Sequence, residues 1–219
     1  MVKAVAIYLK SEISVQRKFI KKIKKLVEKE NNLIYMGGAF GQRTLDIYPK
    51  VDKKGNVIKY SDYALIDKFI DRTIKAGMPL ERIKLICWLE LQTYGLCYKG
   101  KGQLKFNTPE FNKAFALFLK DFTNHLEKKY KITKDRVIFY TVDEPDGDIN
   151  KKGTRMYNAY HAGKIIKEAG KDYVTMVNPH PNYLRGKDFS AMKKLNEVTD
   201  IFEFYRPGLG QEQLKLAKS

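Results

Sequence analysis

Short runs of consecutive apolar residues alternate along this chain with longer stretches in which apolar residues recur every three or four positions. The first pattern reads as buried strand and the second as amphipathic helix. The runs Ala4–Leu9, Leu33–Gly38, Ile83–Leu89, Arg136–Val142, Tyr173–Val177 and Ile201–Tyr205 predict six strands. The first helix is predicted over about 14–29, with Val15, Phe19, Ile23, Leu26 and Val27 on its inner face. Further helices follow Ser61, follow Thr108, run from about Thr154 to Ala169 and from about Ser190 to Asn196.

Local chemistry fixes several boundaries. Ser61 is expected to cap the second helix, with Leu65, Ile66, Phe69, Ile70 and Ile74 facing inward and Gly77 closing it. Thr108-Pro109-Glu110 is a helix start: a hydroxyl cap, a proline in the first turn and an acid at the positive end. Phe111, Phe115, Phe118, Phe122 and Leu126 then form one inward stripe. Lys54-Gly55-Asn56, between two β-prone runs, predicts a hairpin excursion over Leu45–Tyr60.

Strands that are continuously apolar suit a parallel sheet covered by helices, so the fold class is α/β. A doubly wound sheet usually carries a glycine-rich phosphate turn after a strand. Only Gly37-Gly38 approaches one, and its spacing is wrong. Polar residues instead gather at the C-terminal ends of nearly all strands, as in a TIM-type (β/α) barrel. A full barrel has about eight strands; six β/α units predict a partial one. No repeat or linker divides the chain, so residues 1–219 are expected to be one barrel-like catalytic domain, incomplete at the C-terminus.

Composition narrows the function classes. With 43% hydrophobic and 12% aromatic residues a real core can form. No apolar run reaches the roughly 18 residues of a membrane helix, and residues 1–9 are too short for a signal peptide, so no membrane partner and a cytoplasmic location are the default expectation. Cys87 and Cys97 make a disulfide framework improbable and lack a CxxC pattern, no histidine pair has metal-ligand spacing, and no metal or cofactor is expected. The net charge of +17 attracts polyanions. Its lysines, however, including Lys18, Lys21, Lys22, Lys24 and Lys25, fall on the polar faces of helices. A basic nucleic-acid-binding module is therefore the weaker reading.

The strand ends carry a mixture suited to a sugar. The second has Gly37, Gly38, Phe40 and Gln42; the third Trp88, Glu90, Gln92 and Tyr94; the fourth Asp143 and Glu144. The fifth has Asn178 and His180, and the sixth Glu203, Tyr205 and Arg206. Aromatic faces stack on pyranose rings, and carboxylates and amides bind hydroxyls. The sharpest feature is Asp143-Glu144-Pro145 after an apolar strand. Pro145 biases Glu144 towards an extended backbone, which lets both acids reach the barrel mouth. Glycosidic cleavage needs an acid at the leaving oxygen and a second group that stabilises the anomeric centre. In substrate-assisted hydrolysis the sugar's 2-acetamido oxygen attacks that centre, and the enzyme supplies a carboxylate to orient the acetamido N–H. An adjacent Asp and Glu can do both tasks, and their proximity raises one acid's pKa. Asp143 and Glu144 are therefore the catalytic candidates. Trp88, Glu90, Gln92, Tyr94, Asn178, His180, Glu203 and Tyr205 are the substrate-binding candidates. Arg206, His125 and His161 read as salt-bridge or packing residues, and the acids around Gly147 have the wrong register for a calcium loop.

The run Val137–Pro145, followed by a helix, a strand and Asn178-Pro179, resembles the catalytic barrel of glycoside hydrolase family 123. The upstream hairpin, then Tyr60-Ser61-Asp62-Tyr63 leading into a helix that ends Lys75-Ala76-Gly77, fits the same order. The resemblance covers roughly residues 33–207. It implies a β-N-acetylgalactosaminidase acting on an amino-sugar glycan by a substrate-assisted, retaining mechanism. Glu144 would then be the general acid/base and Asp143 the residue orienting the acetamido group. The family's last two barrel strands and an accessory β-sandwich have no counterpart here, which leaves a non-catalytic carbohydrate-binding or degenerate barrel as the alternative.

Overall fold

The structure, a computed structural model, describes residues 5–6, 33–36, 48–88, 104–179 and 190–203. The helix expected over 14–29 lies outside them. The described elements are β1 (Val5–Ala6), β2 (Leu33–Met36), β3 (Lys50–Val51), β4 (Val57–Lys59), α1 (Ala64–Lys75) and β5 (Lys84–Trp88). Then come α2 (Pro109–Tyr130), β6 (Val137–Asp143), α3 (Arg155–Ala169), β7 (Val174–Asn178), α4 (Ser190–Asn196) and β8 (Ile201–Phe202).

All six predicted strands form one parallel sheet in the order β1-β2-β5-β6-β7-β8. Each strand pairs with its predecessor in the sheet, with no reversal of direction. A doubly wound sheet reverses at a switch point; unbroken winding is what a barrel requires. The antiparallel β3–β4 hairpin stands apart from this sheet, as its Lys-Gly-Asn turn predicts. Gly55 has φ +74°, and a β-carbon there would fall 2.2 Å from the Glu110 carbonyl oxygen, so the hairpin tip lies against the start of α2.

Alternation along the strands separates two faces. Leu85, Cys87, Val137 and Phe139 meet the helices, packing with Ile66, Phe69 and Ile70 of α1, the stripe Phe111, Phe115, Phe118, Phe122 and Leu126 of α2, and Ile165 and Ile166 of α3. Every member of the α2 stripe is fully buried, and Thr108 Oγ1 accepts from Phe111 N at 3.3 Å, as a capping hydroxyl should. On the opposite face, Ile86, Ile138, Tyr140 and Met176 form a separate cluster flanked by Val174 and Ile201. This is the inner, barrel-side layer. Val142 and Val177 return to the helix side, against Met156, Ala159 and Leu195.

Two expectations for α1 need correcting. Ser61 does not cap it: the capping position is Tyr63, in a left-handed conformation at φ 53°, while Ser61 Oγ accepts from Tyr63 N at 3.2 Å within the preceding turn. Leu65 and Ile74 are also not inward; they are 50% and 36% exposed. The buried stripe is Ile66, Phe69, Ile70 and Thr73, and Thr73 satisfies its hydroxyl on the Phe69 carbonyl at 2.9 Å. That self-satisfaction lets a threonine take a place that periodicity assigns to an isoleucine.

Candidate functional site

The rim residues stand on β6, β7 and the residue after β8. Tyr140 pairs with Met176 and Asp143 with Asn178, so three steps along β6 match two along β7. One extra residue is accommodated between them as a β-bulge. Its effect is specific. Tyr140 and Asp143, three apart, would face opposite ways on a regular strand; the bulge puts both on the barrel side, with Phe139 and Val142 on the helix side.

The Tyr140 hydroxyl donates to Asp143 Oδ1 at 2.6 Å, and Asn178 Nδ2 donates to the same oxygen at 3.2 Å. Asn178 is 2% exposed, and β7 holds it on the inner face beside Met176. Asp143 Oδ1 is thus occupied by two donors. Thr141 Oγ1 donates to the Met176 carbonyl at 3.2 Å and ties the bulge to β7.

Glu203 follows β8, where Ile201 faces the barrel side and Phe202 the helices. Continued alternation sends Glu203 inward. Its amide donates to the Val177 carbonyl at 2.8 Å, which extends the β7–β8 ladder and fixes Glu203 next to Asn178. Burial first, and the charge of Asp143 second, push the Glu203 carboxyl above the usual glutamate range. Glu203 thus stands two strands from Asp143 with its carboxyl pushed towards the protonated form.

Glu144 is exposed, and its φ of 41° is left-handed rather than extended as its place before proline suggests. The chain is anchored on both sides of it. Arg155 Nη2, at the start of α3, donates to the Asp143 carbonyl, and Met156 N donates to the Asp146 carbonyl at 2.8 Å. Pro145 is buried between these anchors. With so short a path the turn has to be made at Glu144, in a conformation that costs a non-glycine residue about 1–2 kcal/mol. Thr154 then caps α3, accepting from Tyr157 N at 3.1 Å, and its hydroxyl donates to the Asp148 carbonyl at 2.6 Å. Asp148 and Asp146 thereby serve loop closure through their carbonyls.

The structure brings together Asp143, Asn178 and Glu203, with Glu144 next along the chain. Trp88 ends β5 opposite Tyr140, but its side chain is not among those described. Glu90, Gln92, Tyr94, His180 and Tyr205 lie outside the described residues. Tyr140 is the residue that the sequence reading missed. Only the bulge turns it towards Asp143, and a bulge has no composition signal on an unbroken apolar strand.

The other histidines pack. His125 Nε2 lies 2.7 Å from Asp67 Oδ1 with its ring against Tyr63, and His161 Nδ1 lies 3.1 Å from Asn107 Nδ2 beside Tyr157. Asp67 also takes Lys129 at 2.8 Å. Burial raises the Asp67 carboxyl, but the Lys129 and His125 donors outweigh it and hold the acid below its usual range. A shallow groove of about 390 Å³ runs over this α1–α2 seam, lined by Asp67, Lys68, Asp71, Arg72, Lys75 and Lys129, and none of the strand-end candidates borders it. Cys87 is a buried free thiol whose pKa burial raises, and Cys97 lies outside the described residues. Among the described residues no three His, Cys, Asp or Glu side chains converge as a metal site, and no helix is long and apolar enough to cross a membrane.

The sequence matches no family model and no curated protein. Solved structures do match the fold. Two structures of an intracellular xylanase from Thermoanaerobacterium saccharolyticum superpose with TM-scores of 0.52 and 0.51. Both are 12% identical over 98% of this chain and 67% of theirs, and one is a mutant in complex with xylotriose. A psychrophilic glycoside hydrolase family 10 endo-β-1,4-xylanase has a TM-score of 0.48 and 16% identity over 93% of this chain and 67% of its own. At 12% identity the likeness to the Thermoanaerobacterium enzyme speaks for architecture alone. Together with the unbroken parallel winding, it makes this chain an α/β protein built as part of a TIM-type barrel.

Proposed function

We propose that this chain is a glycoside hydrolase that cleaves 2-acetamido sugars of the β-N-acetylgalactosaminide type by a substrate-assisted, retaining mechanism. One observation carries the reading. An Asp-Glu pair ends a barrel strand on the side where barrel enzymes do their chemistry, and the aspartate has one oxygen held by Tyr140 and Asn178. With Oδ1 so engaged, Oδ2 is the oxygen available to a ligand donor, and an acetamido N–H is such a donor. The match to solved xylanases supports a barrel of this kind; the choice of an amino sugar rests on the paired acids and on the family 123 resemblance.

In this mechanism Asp143 Oδ2 accepts the acetamido N–H and orients the amide so that its carbonyl oxygen attacks the anomeric carbon from the face opposite the leaving group. The C1–O glycosidic bond breaks as the new C1–O bond forms, giving a bicyclic oxazolinium ion. Glu144 gives its proton to the departing oxygen. It then takes a proton from the water that opens the ring, so the anomeric configuration is retained. Tyr140 and Asn178 keep Asp143 in place. Trp88, Glu90, Gln92, Tyr94, His180, Glu203 and Tyr205 are the candidates for contacts to the rest of the glycan.

The test is nitrophenol release from nitrophenyl β-N-acetylgalactosaminide, followed by Glu144→Gln. Removing a general acid costs about 10²–10⁴-fold. The loss should be larger on an alkyl glycoside than on the nitrophenyl one, because nitrophenolate leaves without a proton. Azide needs no general base, so it should speed the nitrophenyl reaction of this variant by opening the oxazolinium ion from the face the leaving group has left, giving the β-glycosyl azide. Binding of amino-sugar oligomers without turnover, unchanged in Glu144→Gln, would instead support a carbohydrate-binding barrel.

A further inference from the structure

Resting on the glycosidase reading, we propose that Glu203 binds the sugar as a neutral carboxylic acid beside Asp143, so that this inner pair presents one negative charge to the substrate. The geometry is that of three neighbouring strand ends. Asp143, Asn178 and Glu203 follow one another across β6, β7 and the end of β8, all on the barrel side. Asn178 sits between the two acids and is committed to Asp143 Oδ1. The Glu203 backbone is pinned by the Val177 carbonyl at 2.8 Å, which holds its main chain at the strand edge beside Asn178.

Among the described residues, few charged and titratable groups lie on the strand ends beside Glu203. From β6 come Asp143 and the Tyr140 phenol, with Glu144 beyond them; from α3, Arg155 engages the Asp143 main-chain carbonyl. Among the described residues no lysine, arginine or histidine forms an ion pair with Glu203. A half-buried acid next to a carboxylate favours its protonated form, the direction in which burial and Asp143 push Glu203. Protonation also changes recognition. A carboxylate only accepts hydrogen bonds, whereas a carboxylic acid both donates and accepts. It can therefore meet a sugar hydroxyl in either sense while Asp143 remains the acceptor for the acetamido N–H.

Two measurements on the full chain test this. The first needs no turnover. The carbon-13 signal of the Glu203 side-chain carboxyl is followed against pH in the wild type and in Asp143→Asn. Its midpoint should lie above that of an ordinary glutamate and move down in the variant, because one of its two causes is gone. A midpoint at or below the ordinary value, or one that ignores Asp143→Asn, overturns the proposal. The second compares kcat/KM against pH for wild type, Glu203→Gln and Glu203→Ala. The wild type should lose activity on the alkaline side as Glu203 ionises. Glu203→Gln, which cannot ionise, should keep only the alkaline limb that Glu144 sets, falling with one proton lost rather than two, and retain about tenfold more activity than Glu203→Ala. Equal loss in both variants overturns the neutral-acid role. Absence of turnover in the wild type with the expected carboxyl titration would count against the glycosidase reading and leave the paired acids standing.

Discussion

The two ends of the sheet treat their acids in opposite ways. At the N-terminal end, Asp200 stands just before β8 with its Oδ2 accepting from Lys167 Nζ at 2.6 Å, Thr175 N at 2.7 Å and Thr175 Oγ1 at 3.0 Å. Burial works against its ionisation, but the Lys167 and Thr175 donors outweigh burial and hold the carboxyl below its usual range. Nearby, Arg136 spreads its guanidinium over the carbonyls of Ile83, Leu80 and Lys131. At the C-terminal end, Asp143 is held by a phenol and an amide, and among the described residues no cation pairs with Asp143, Glu144 or Glu203. An acid that secures a fold is saturated by donors and a cation. An acid kept for a ligand is positioned by neutral donors and left with an oxygen to spare. The same residue type thus does structural work at one end and, in our reading, chemical work at the other, as barrel architecture favours.

Substitutions should separate the two ends. The largest effect is expected from Asp143→Asn. It should lower kcat/KM on the acetamido substrate by about 10²–10⁴-fold, the scale of losing one positioned polar group in a reaction centre, with little change in thermal unfolding. A large fall in Tm would move Asp143 to the structural class. Second is Phe118→Ala in the α2 stripe, which removes a fully buried ring packed against Phe115 and Phe122. Denaturant unfolding should show a loss of about 3–5 kcal/mol, with whatever protein remains folded retaining its rim chemistry.

Asp200→Ala comes third. Its partners are partly solvated, so the loss should be about 1–2 kcal/mol. The sign with pH is defined. The folded pKa lies below the unfolded one, so the stabilisation is complete above the unfolded value of about 3.9 and disappears as pH falls through the folded value. A urea titration series should therefore show the wild type and Asp200→Ala converging in strong acid; a constant gap would contradict the pairing. The smallest effect is expected from Gly147→Ala. Gly147 has φ +84°, and a β-carbon there would sit 2.8 Å from Thr154 Cβ. Straining the loop that fixes Glu144 should cost about 1 kcal/mol or somewhat more in stability, together with a measurable fall in turnover.

Much of the frame was legible in the sequence because it depends on repeated, redundant signals. Six apolar runs predict six strands, and four phenylalanines at helical spacing predict a buried face that no single substitution would disguise. The errors fall where one residue's conformation decides. Ser61 has a capping side chain, yet Tyr63 occupies the capping position. Glu144 precedes a proline, yet anchors on either side force it left-handed. Periodicity put Ile74 inside α1, where Thr73 is the buried residue because it satisfies its own hydroxyl on the preceding turn. At the candidate site, strand-end position and alternation were enough to nominate Asp143, Asn178 and Glu203. The Tyr140–Asp143 contact was not readable, since one extra residue in β6 reverses which face Tyr140 shares with the acid. A bulge is set by pairing with β7, and pairing is a property of two segments rather than of either one.

In our proposal Asp143 receives an acetamido N–H in the barrel mouth. Turnover of nitrophenyl β-N-acetylgalactosaminide should be compared with that of the matching β-galactoside, which carries a hydroxyl in place of the acetamido group. The account predicts hydrolysis of the acetamido sugar with retained configuration and essentially none of the galactoside. Equal rates on the two, or activity confined to sugars without the acetamido group, would contradict it.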